Sequence, residues 1–574
     1  MCGIWAFLEL VKSSNKNDYT YQKQFEDFMN LQPRGPDSTS FQILKNVSVG
    51  FHRLAIMDPT FHANQPYIIE DDQRTIVFIC NGEIYNFKDL IEEHNLPIHN
   101  NSDCMTIPRL YLKYVSLNKD GMNDTSKFRE LFKSNIKGEF AFILFEFDNL
   151  QNLKEVIACR DQIGVRPLYE GMNDNSYLFS SEIKGMKQFN GRVQEFAPGT
   201  LLQIYLDNFG KVDSVNRYNF STVYSVKPID PATNPNEELL LKNVRNAVIN
   251  SVKRRLTADR PIAFLLSGGL DSSLVCCIAS KLLGKPINTY CCAIKDVDST
   301  DLKYAKLVAN YIKSNHTEVL FTVEEALAAI PEVIKMLESF CITSIRASVA
   351  QYMVSKHIAS KTDAKVILTG EGSDEVTSGY LYNYYAPNET ALHNGAIEYV
   401  QKIHYYDGRR VDRIVSGLSC EARIALLDPE FITAYWQLPS LWRMPTYKNC
   451  EKYYLRKAFD GTRIMNEETL WRKKEAFSDG ISSTTKSWFQ IIQEHIETLV
   501  TDEEFKINHW NCNTKEEYYY KKIFVENYGE KRLNILPGNW QPKWRSNGEV
   551  VKGFIDPSAR VLDVYKKEDQ EVKK

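Results

Sequence analysis

A glycine-rich turn between an apolar run and a helical pattern constrains the fold of this chain more than any other segment. The turn reads SGGLDSS at residues 267–273, after the apolar run 261–266 and before a helical apolar pattern that begins at Leu274. Glycines free backbone N–H groups, and a helix N-terminus carries a partial positive charge, so such a turn suits a phosphate. It lacks the lysine of a Walker A loop. We predict a phosphate-binding strand, turn and helix, with a purely structural glycine turn as the alternative.

The length of the chain and a change of pattern along it predict two domains. At 574 residues the chain exceeds what one hydrophobic core usually holds. A stretch rich in proline and asparagine at residues 228–236 interrupts the pattern. We therefore expect a first domain at residues 1–208, a strand and linker at 209–236, a second domain at 237–565 and a charged, disordered tail at 566–574.

The two predicted domains differ in their secondary-structure pattern. The first contains short apolar or alternating runs, typical of strands, with helices predicted near residues 18–31 and 86–94. This pattern indicates an α+β fold of layered sheets with helices outside. The second alternates strands with helices, as at 287–294 and 301–313, and is mainly helical after about residue 390. It predicts a doubly wound α/β domain with a parallel sheet and a nucleotide site at the carboxyl ends of its strands.

Composition and charge exclude several classes of protein. The formal net charge is −3, and the basic cluster at residues 253–255 is typical of a solvated helix face, so we expect no nucleic-acid partner. No apolar stretch reaches the ~18 residues that span a bilayer, so we expect no membrane association and a cytoplasmic location. The twelve cysteines include no Cys-x-x-Cys, which indicates reduced thiols.

Cys2, directly behind Met1, is the first candidate for catalysis. Removal of Met1 would free an α-amino group whose pKa, about 7.7–8.0, lets it take the proton of the adjacent thiol without any histidine. Cys2 would then be a nucleophile that carries its own base. The alternative is an ordinary N-terminus, and Cys2 alone does not decide between them.

Several other residues of the first domain suit amide hydrolysis at such a nucleophile. Asn81 and Gly82 follow the predicted strand 75–79, where a side-chain amide and a backbone N–H can stabilise an oxyanion. Arg53 offers a guanidinium group to a carboxylate, and Asp103 offers a carboxylate to an ammonium. Taken singly, each has a structural alternative: a hairpin turn, a surface cation and a helix cap.

A second glycine turn supplies the opposite wall of the predicted nucleotide site. Residues 366–375 read VILTGEGSDE, an apolar strand that ends in a turn without the third glycine of a dinucleotide fingerprint. Thr369 and Gly370 would offer backbone groups to adenosine, and Asp271 with Asp374 would offer oxygen ligands to Mg²⁺. Lys474 could offset negative charge at the attacked phosphorus, or be one more basic residue in a run.

The first domain resembles the class II glutamine amidotransferase family over residues 2–205. The resemblance implies an N-terminal-nucleophile hydrolase fold, an αββα sandwich, in which Cys2 attacks glutamine. Asn81 and Gly82 would form the oxyanion hole, Arg53 would hold the α-carboxylate, and Glu83 with Asp103 the amino end. The implied glutamine site comprises Arg53, Leu54, Ala55, Ile56, Met57, Asn81, Gly82, Glu83 and Asp103. Ser38 and Met105 depart from the family, which usually has tryptophan and an acidic residue there.

The second domain resembles the ATP-pyrophosphatase-type synthetase domain of glutamine-dependent asparagine synthetases. The matching segments are 267–273, 344–348, 370–375 and 474–480, with further likeness at 421–423, 515–520 and 556–560. The family chemistry is adenylation of the aspartate β-carboxylate by MgATP, release of pyrophosphate, and attack on β-aspartyl-AMP by ammonia conducted through an internal tunnel.

That second resemblance also implies roles for individual residues. Glu371 would assist at the adenylate step together with Lys474, and Arg346 would face aspartate. The implied ATP site comprises Leu266, Ser267, Gly268, Gly269, Asp271, Ser272, Ile294, Thr369 and Gly370, and the Mg²⁺ ligands would be Asp271 and Asp374. Cys341 and Ala425 depart from the family, which has an acidic residue and a proline there.

The leading hypothesis is therefore an enzyme that uses glutamine, aspartate and ATP. A homodimer is one of the assemblies that this enzyme could form. The same machinery acting on another carboxylate is the close alternative. Amidotransferases that make aminosugars or phosphoribosylamine share only the first domain, and β-lactam synthetases lack the N-terminal cysteine. A scaffold that has lost catalysis is the alternative from another class, which ATP-dependent pyrophosphate release would exclude.

Overall fold

The computed structural model describes residues 1–10, 18–97, 100–117, 123–207, 209–472, 474, 481–482, 486–507 and 510–557. They form two compact units. Unit 1 comprises Met1–Thr222, Thr257–Arg260 and Ser416–Glu421. Unit 2 comprises Val223–Leu256, Pro261–Val415 and the described residues from Ala422 onward. The tail predicted to be disordered, 566–574, lies outside the described residues.

Unit 1 contains two six-stranded antiparallel sheets and a two-stranded ribbon. Its strands are β1 (Gly3–Glu9), β2 (Ser38–Ile43), β3 (Val47–Arg53), β4 (Tyr67–Glu70), β5 (Arg74–Ile84), β6 (Ser116–Leu117), β7 (Asn123–Asp124), β8 (Gly138–Asp148), β9 (Leu153–Arg160), β10 (Tyr169–Asn173), β11 (Ser176–Ser180), β12 (Arg192–Glu195), β13 (Thr200–Leu206) and β14 (Val212–Asn219). The first sheet has the order β12-β10-β11-β1-β3-β2, and the second β14-β13-β9-β8-β5-β4.

The central strand β8 shows why the apolar runs of unit 1 are continuous. Successive side chains of a strand point to opposite faces. Ala141, Ile143 and Phe145 belong to the core between the sheets, together with Ile4 of β1. Phe140, Phe142 and Leu144 belong to the core on the outer face of the second sheet. Because both faces of β8 are buried, its sequence is apolar without alternation.

Helices cover the outer faces of both sheets, which confirms the predicted αββα sandwich. Unit 1 contains the helices α1 (Tyr21–Met29), α2 (Phe87–Glu93), α3 (Thr106–Tyr114) and α4 (Ser126–Ser134). Phe28 of α1 packs on Trp5 of the first sheet. The other three helices contribute to the core on the outer face of the second sheet. Helices α1 and α2 also confirm the two helices predicted near 18–31 and 86–94.

Two buried glutamates face each other across β8 and β9. Glu146 and Glu155 are register partners, 2% and 0% exposed. Tyr111 Oη lies 2.9 Å from Glu146 Oε2 and 2.8 Å from Glu155 Oε2. A single hydroxyl hydrogen cannot serve both carboxylates, so a proton on Glu155 would supply the second hydrogen of this network. The nearest cation, Arg74, donates to Glu146 Oε2 at 3.1 Å.

This pair makes the stability of unit 1 depend on pH. Burial, reinforced by Glu146, raises the pKa of Glu155 to about 7 against the opposing hydrogen bonds of Asn123 and Gln203. The pKa of Glu155 is higher in the folded than in the unfolded chain, so this stability is present below the unfolded value, 4.5, and is lost as pH rises to about 7.

We expect Glu155→Gln to raise the melting temperature of unit 1 by several degrees at pH 8 and much less at pH 5, since the penalty removed is about 3 kcal/mol. Calorimetric melting of both chains at the two pH values tests this. Glu130→Gln, which changes an exposed glutamate of the same unit, is the control. An increase of equal size at both pH values would contradict the raised pKa of Glu155.

Unit 2 contains a five-stranded sheet with the order β17-β16-β15-β18-β19. Its strands are β15 (Ile262–Leu265), β16 (Asn288–Ile294), β17 (Asn315–Phe321), β18 (Val366–Thr369) and β19 (Glu421–Ile424). The pairs β15–β16, β15–β18 and β16–β17 are parallel. The predicted parallel-sheet α/β domain is thereby confirmed.

Helices connect the strands of unit 2 and form most of its later part. They are α5 (Glu237–Arg255), α6 (Leu270–Leu283), α7 (Thr300–Ile312), α8 (Val323–Ala328), α9 (Ile330–Leu337), α10 (Ile342–Lys361), α11 (Ser373–Thr377), α12 (Glu389–Lys402), α13 (Asp407–Ser416), α14 (Pro429–Trp436), α15 (Ser440–Arg443), α16 (Pro445–Lys448), α17 (Tyr453–Phe459), α18 (Glu467–Leu470), α19 (Trp488–Leu499), α20 (Asp502–Lys506) and α21 (Lys515–Tyr528). Among the described residues, none of the helices is long and apolar enough to cross a membrane.

Candidate active sites

Cys2 directly precedes β1 and is partly buried. The Sγ of Cys2 donates to the carbonyl of Leu54 at 3.7 Å, and the carbonyl of Cys2 accepts a hydrogen bond from Arg34 Nε at 2.9 Å. Burial raises the pKa of the Cys2 thiol to about 11. The nitrogen of Cys2 is an amide while Met1 is attached, and burial lowers the pKa of the Met1 amine to about 6. A base on Cys2 itself therefore requires removal of Met1.

Arg53 holds the loop that follows it. Its Nη1 donates to the carbonyl of Thr60 at 2.6 Å and to Asn64 Oδ1 at 2.7 Å. Its Nη2 donates to the carbonyls of Met57, at 3.3 Å, and Asp58. The bonds of both terminal nitrogens thus go to oxygens of one loop. That loop contains Leu54, Ala55, Ile56 and Met57, and the carbonyl of Leu54 contacts Cys2.

Asn81 and Gly82 lie near the end of β5, where the backbone runs close to β8. Asn81 is fully buried, and neither Nδ2 nor Oδ1 of its side chain has a hydrogen-bond partner among the described residues. A Cβ at Gly82 would lie 2.2 Å from the carbonyl oxygen of Glu139, so only glycine fits there. A buried amide without a partner is rare in folded proteins and indicates a group that bonds a ligand.

The two predicted ammonium ligands of unit 1 are both buried. Asp103 Oδ2 accepts a hydrogen bond from the backbone N–H of Ile84 at 2.6 Å. Glu83 precedes Ile84 on β5 and is 5% exposed. Two residues of unit 1 differ from those usual in the family. Met105 packs in the core on the outer face of the second sheet, and Ser38 begins β2 as the register partner of Arg53.

Unit 2 contains a cavity of about 240 Å³ at the carboxyl ends of β15 and β18. Most of the residues predicted for the synthetase site line it. They are Leu266, Ser267, Gly269, Asp271, Ser272, Gly370, Glu371, Asp374 and Lys474. The structure thus brings together two glycine turns that are about a hundred residues apart in the chain.

The two turns pack directly against each other. A Cβ at Gly370 would lie 2.5 Å from the backbone nitrogen of Ser272, so the contact requires glycine. Within the first turn, Ser272 Oγ accepts from the N–H of Ser267 at 3.1 Å, and the two hydroxyl oxygens are 2.9 Å apart. Helix α6 begins at Leu270, so its N-terminus lies at the cavity wall. The strand, the turn and the helix lie as predicted, and anion binding by them stays a prediction.

Lys452 is the most consequential residue that the sequence did not reveal. Its Nζ lies 2.6 Å from Asp271 Oδ2 and 2.7 Å from Asp374 Oδ1. Lys474 Nζ lies 2.6 Å from Asp374 Oδ2. Burial opposes ionisation of Asp374, but the two ammonium groups outweigh it and hold the pKa of Asp374 well below its usual range. The cavity therefore carries two cations that face two carboxylates.

The donors around Asp271 and Asp374 are compatible with Mg²⁺ bound together with a polyphosphate. Asp271 Oδ1 is buried and has no hydrogen-bond partner among the described residues. Mg²⁺ commonly takes one or two protein carboxylates and completes its shell with phosphate oxygens and water. No cluster of three metal-ligating side chains occurs in the described part of the chain, so a phosphate would have to supply the rest.

Four predicted residues do not line the cavity. Gly268 packs against the backbone nitrogen of Ala305, 2.4 Å from the position of a Cβ, and its carbonyl accepts from Arg472. Thr369 is fully buried at the end of β18. Ile294 ends β16, and its N–H donates to the carbonyl of Ile481 at 3.2 Å.

Arg346, the fourth, forms a buried ion-pair network with two acidic residues. It lies 2.6 Å from Glu516 and 2.9 Å from Asp556. Its helix neighbours Thr343 and Ala347 do line the cavity. The acidic partners come from distant segments, so the motif around Arg346 gave no sign that its charge is neutralised there.

Cys341 and Ala425, the two residues of unit 2 that differ from those usual in the family, both contact other parts of the fold. Cys341 is buried in a cluster with Tyr382 and Trp540, and its Sγ accepts from the N–H of Trp540 at 3.4 Å. The carbonyl of Ala425 accepts from Ser251 Oγ at 2.5 Å. Cys341 is therefore a packing residue among aromatic side chains in this chain.

Comparison with known proteins agrees with this division. Residues 1–237 match the family model of the glutamine amidotransferase domain, and residues 243–394 and 384–551 match that of asparagine synthase. The chain is 37% identical over 602 residues to the glutamine-hydrolysing asparagine synthetase of Gallus gallus, with all of both chains covered. It is 36% identical over 597 residues to the enzyme of that name from Homo sapiens, with 99% of both chains covered. The chain belongs to the family of glutamine-hydrolysing asparagine synthetases.

Proposed function

We propose that this chain is a glutamine-dependent asparagine synthetase. Unit 1 hydrolyses glutamine to glutamate and ammonia, and unit 2 uses MgATP to activate the β-carboxylate of aspartate. Ammonia from unit 1 then displaces AMP from β-aspartyl-AMP and yields asparagine, with pyrophosphate as the other product. The observation that carries this proposal is the cavity of unit 2, in which the two glycine turns meet and Lys452 joins Asp271 to Asp374.

In unit 1 we assign the attack on the glutamine amide carbon to Cys2 Sγ. After removal of Met1, the free amine of Cys2 accepts the thiol proton and later donates it to the departing ammonia. The amide of Asn81 and the N–H of Gly82 stabilise the oxyanion, which accounts for the unpaired Asn81 side chain. Glu83 and Asp103 hold the amino end of glutamine, and the loop held by Arg53 receives its carboxylate.

In unit 2 we assign the phosphate-binding role to the turn at residues 267–273. Its backbone N–H groups and hydroxyls bind the leaving pyrophosphate, and the ammonium of Lys474 stabilises charge at the attacked phosphorus. Asp271 and Asp374 hold Mg²⁺, which shields the phosphate charge when bound. Leu266 and the backbone of Gly370 bound the adenosine, whereas Thr369 and Ile294, for which the resemblance implies the same role, do not line the cavity.

The decisive experiment is pyrophosphate release from MgATP with ammonia, with aspartate run beside other small carboxylic acids and the amide product identified by mass. Turnover with aspartate that yields asparagine supports the proposal. Preference for another acid supports the alternative in which the same machinery amidates a different carboxylate. Absence of turnover with every acid would favour a scaffold without catalysis.

We expect Asn81→Ala to lower kcat for glutamate release about 10²–10³-fold with little change in KM, because an oxyanion donor acts in the transition state. Ammonia-dependent synthesis by the same preparation shows that the chain is folded. Asn149→Ala changes an exposed asparagine of the same unit and serves as the control. A rise in KM without loss of kcat would instead place Asn81 in ground-state binding.

The metal, the assembly and the location of the protein stay predictions. We propose that Mg²⁺ accompanies ATP, which the metal dependence of pyrophosphate release tests. A homodimer, tested by light scattering of the full chain, and a cytoplasmic location, tested by cell fractionation, rest on the family resemblance and the sequence composition.

A further inference from the structure

Gln351 presents an unpaired donor to the cavity of unit 2. It lies on α10, lines the cavity and is 1% exposed. Its Oε1 accepts from Arg410 Nη1 at 2.7 Å, whereas its Nε2 has no hydrogen-bond partner among the described residues. Buried amide donors in folded proteins are nearly always paired. A ligand in the cavity is the natural partner of Gln351 Nε2.

Arg410 decides which way the Gln351 amide points. A guanidinium only donates hydrogen bonds, so it must face the carbonyl oxygen of the amide. The opposite orientation would place two donors against each other. Nε2 is therefore held away from Arg410, and the side chain offers the cavity a donor and no acceptor.

The surroundings of Gln351 differ from the phosphate-binding end of the cavity. Arg410 also pairs with Glu371 Oε1 at 3.3 Å and with Asp407 Oδ1 at 2.8 Å, and both acids line the cavity. The two lysines that face Asp271 and Asp374 supply cations for the phosphates. Around Gln351 the cavity offers carboxylates that Arg410 partly neutralises and the neutral donor Gln351 Nε2, and the hydroxyl of Thr343 lines the same cavity from α10. This set suits the ammonium and an oxygen of an amino acid.

We propose that Gln351 Nε2 donates a hydrogen bond to an oxygen of the amino-acid substrate and thereby determines acid specificity in this chain. The inference rests on the proposed function, since it assigns that substrate to this end of the cavity. Arg410 acts through Gln351 and Glu371 as a positioning residue. On this proposal adenosine packs against the apolar lining residues Leu266 and Val354, the latter about one helical turn further along α10 than Gln351.

Two variants of Gln351 distinguish the effect of its hydrogen-bond donor from the effect of its side-chain size. Gln351→Glu keeps an oxygen for Arg410 and replaces the donor by a negative oxygen, whereas Gln351→Met keeps the size of the side chain and removes both polar atoms. Ser348→Ala is the control on the same helix, because the Ser348 hydroxyl bonds its own helix carbonyl, that of Ser344, at 2.6 Å. We measure kcat and KM for aspartate and for ATP in ammonia-dependent pyrophosphate release.

We expect both Gln351 variants to raise KM for aspartate about tenfold or more, with Glu the more severe, and to leave KM for ATP within about twofold. Ser348→Ala should match the wild type. A rise in KM for ATP alone, or no change in either constant, overturns the inference while the proposed function stands. A wild type that releases no pyrophosphate with aspartate overturns the proposed function itself. If Gln351→Glu does not fold, as judged by its melting curve, Gln351→Met decides.

Discussion

Cys2→Ala should abolish the use of glutamine while leaving ammonia-dependent synthesis intact. We expect glutamate release to fall about 10³-fold or more, because the variant has no nucleophile. Asparagine formation from ammonia should stay within about twofold of the wild type, since the cavity of unit 2 needs only ammonia. The measurement is glutamate and asparagine formation by one preparation with each nitrogen source.

The control and the mature N-terminus sharpen this test. Cys512→Ala removes a thiol of unit 2 and should change neither activity. The intact mass of the wild type should lack Met1, because the base that activates Cys2 exists only after Met1 is removed. Loss of both activities in Cys2→Ala, or full glutaminase activity in a chain that retains Met1, would contradict the assignment of Cys2 and its amine.

Lys452→Met should abolish the synthetase activity of unit 2 and leave the glutaminase activity of unit 1. We expect pyrophosphate release to fall about 10²-fold or more with either nitrogen source, because the facing carboxylates of Asp271 and Asp374 would then repel the polyphosphate. Glutamate release should persist. Lys448→Met changes an exposed lysine four residues earlier in the chain and is the matched control.

A loss of activity in Lys452→Met has to be distinguished from a loss of folding stability. Removing one partner of a buried ion pair can cost about 3–5 kcal/mol of folding free energy. Melting curves of Lys452→Met and of the charge-conserving Lys452→Arg therefore accompany the assay. Normal pyrophosphate release by folded Lys452→Met would show that Lys452 only neutralises the two carboxylates and has no part in nucleotide binding.

Much of the architecture could be predicted because it depends on local patterns. The segment 267–273 follows β15 and forms the turn into α6 together with the first residues of that helix, as predicted, since a buried strand, a tight turn and a helix start are each encoded within a few residues. The helix predicted at 301–313 is α7, Thr300–Ile312. The apolar strands of unit 1 were recognisable because both of their faces are buried.

The partners of charged side chains could not be predicted in the same way. Arg346 lies in a motif expected to face aspartate, but Glu516 and Asp556 neutralise its charge from segments 170 and 210 residues away. Lys452 lies in no motif, although it contacts Asp271 from 181 residues away. Hydrogen bonds and ion pairs are formed in space, so their residues carry no common sequence period.

The sequence by itself determined the two-part organisation, the family, the N-terminal cysteine and the two glycine turns, because backbone conformation and burial follow from short-range patterns of residue type. Only the tertiary structure decided which buried polar groups have partners among the described residues and which do not. The Asn81 side-chain amide and Gln351 Nε2 have none there, and the ammonium of Lys452 lies between two carboxylates. Their chemistry depends on distances of a few ångströms between segments that the fold brings together, and chain order does not contain those distances.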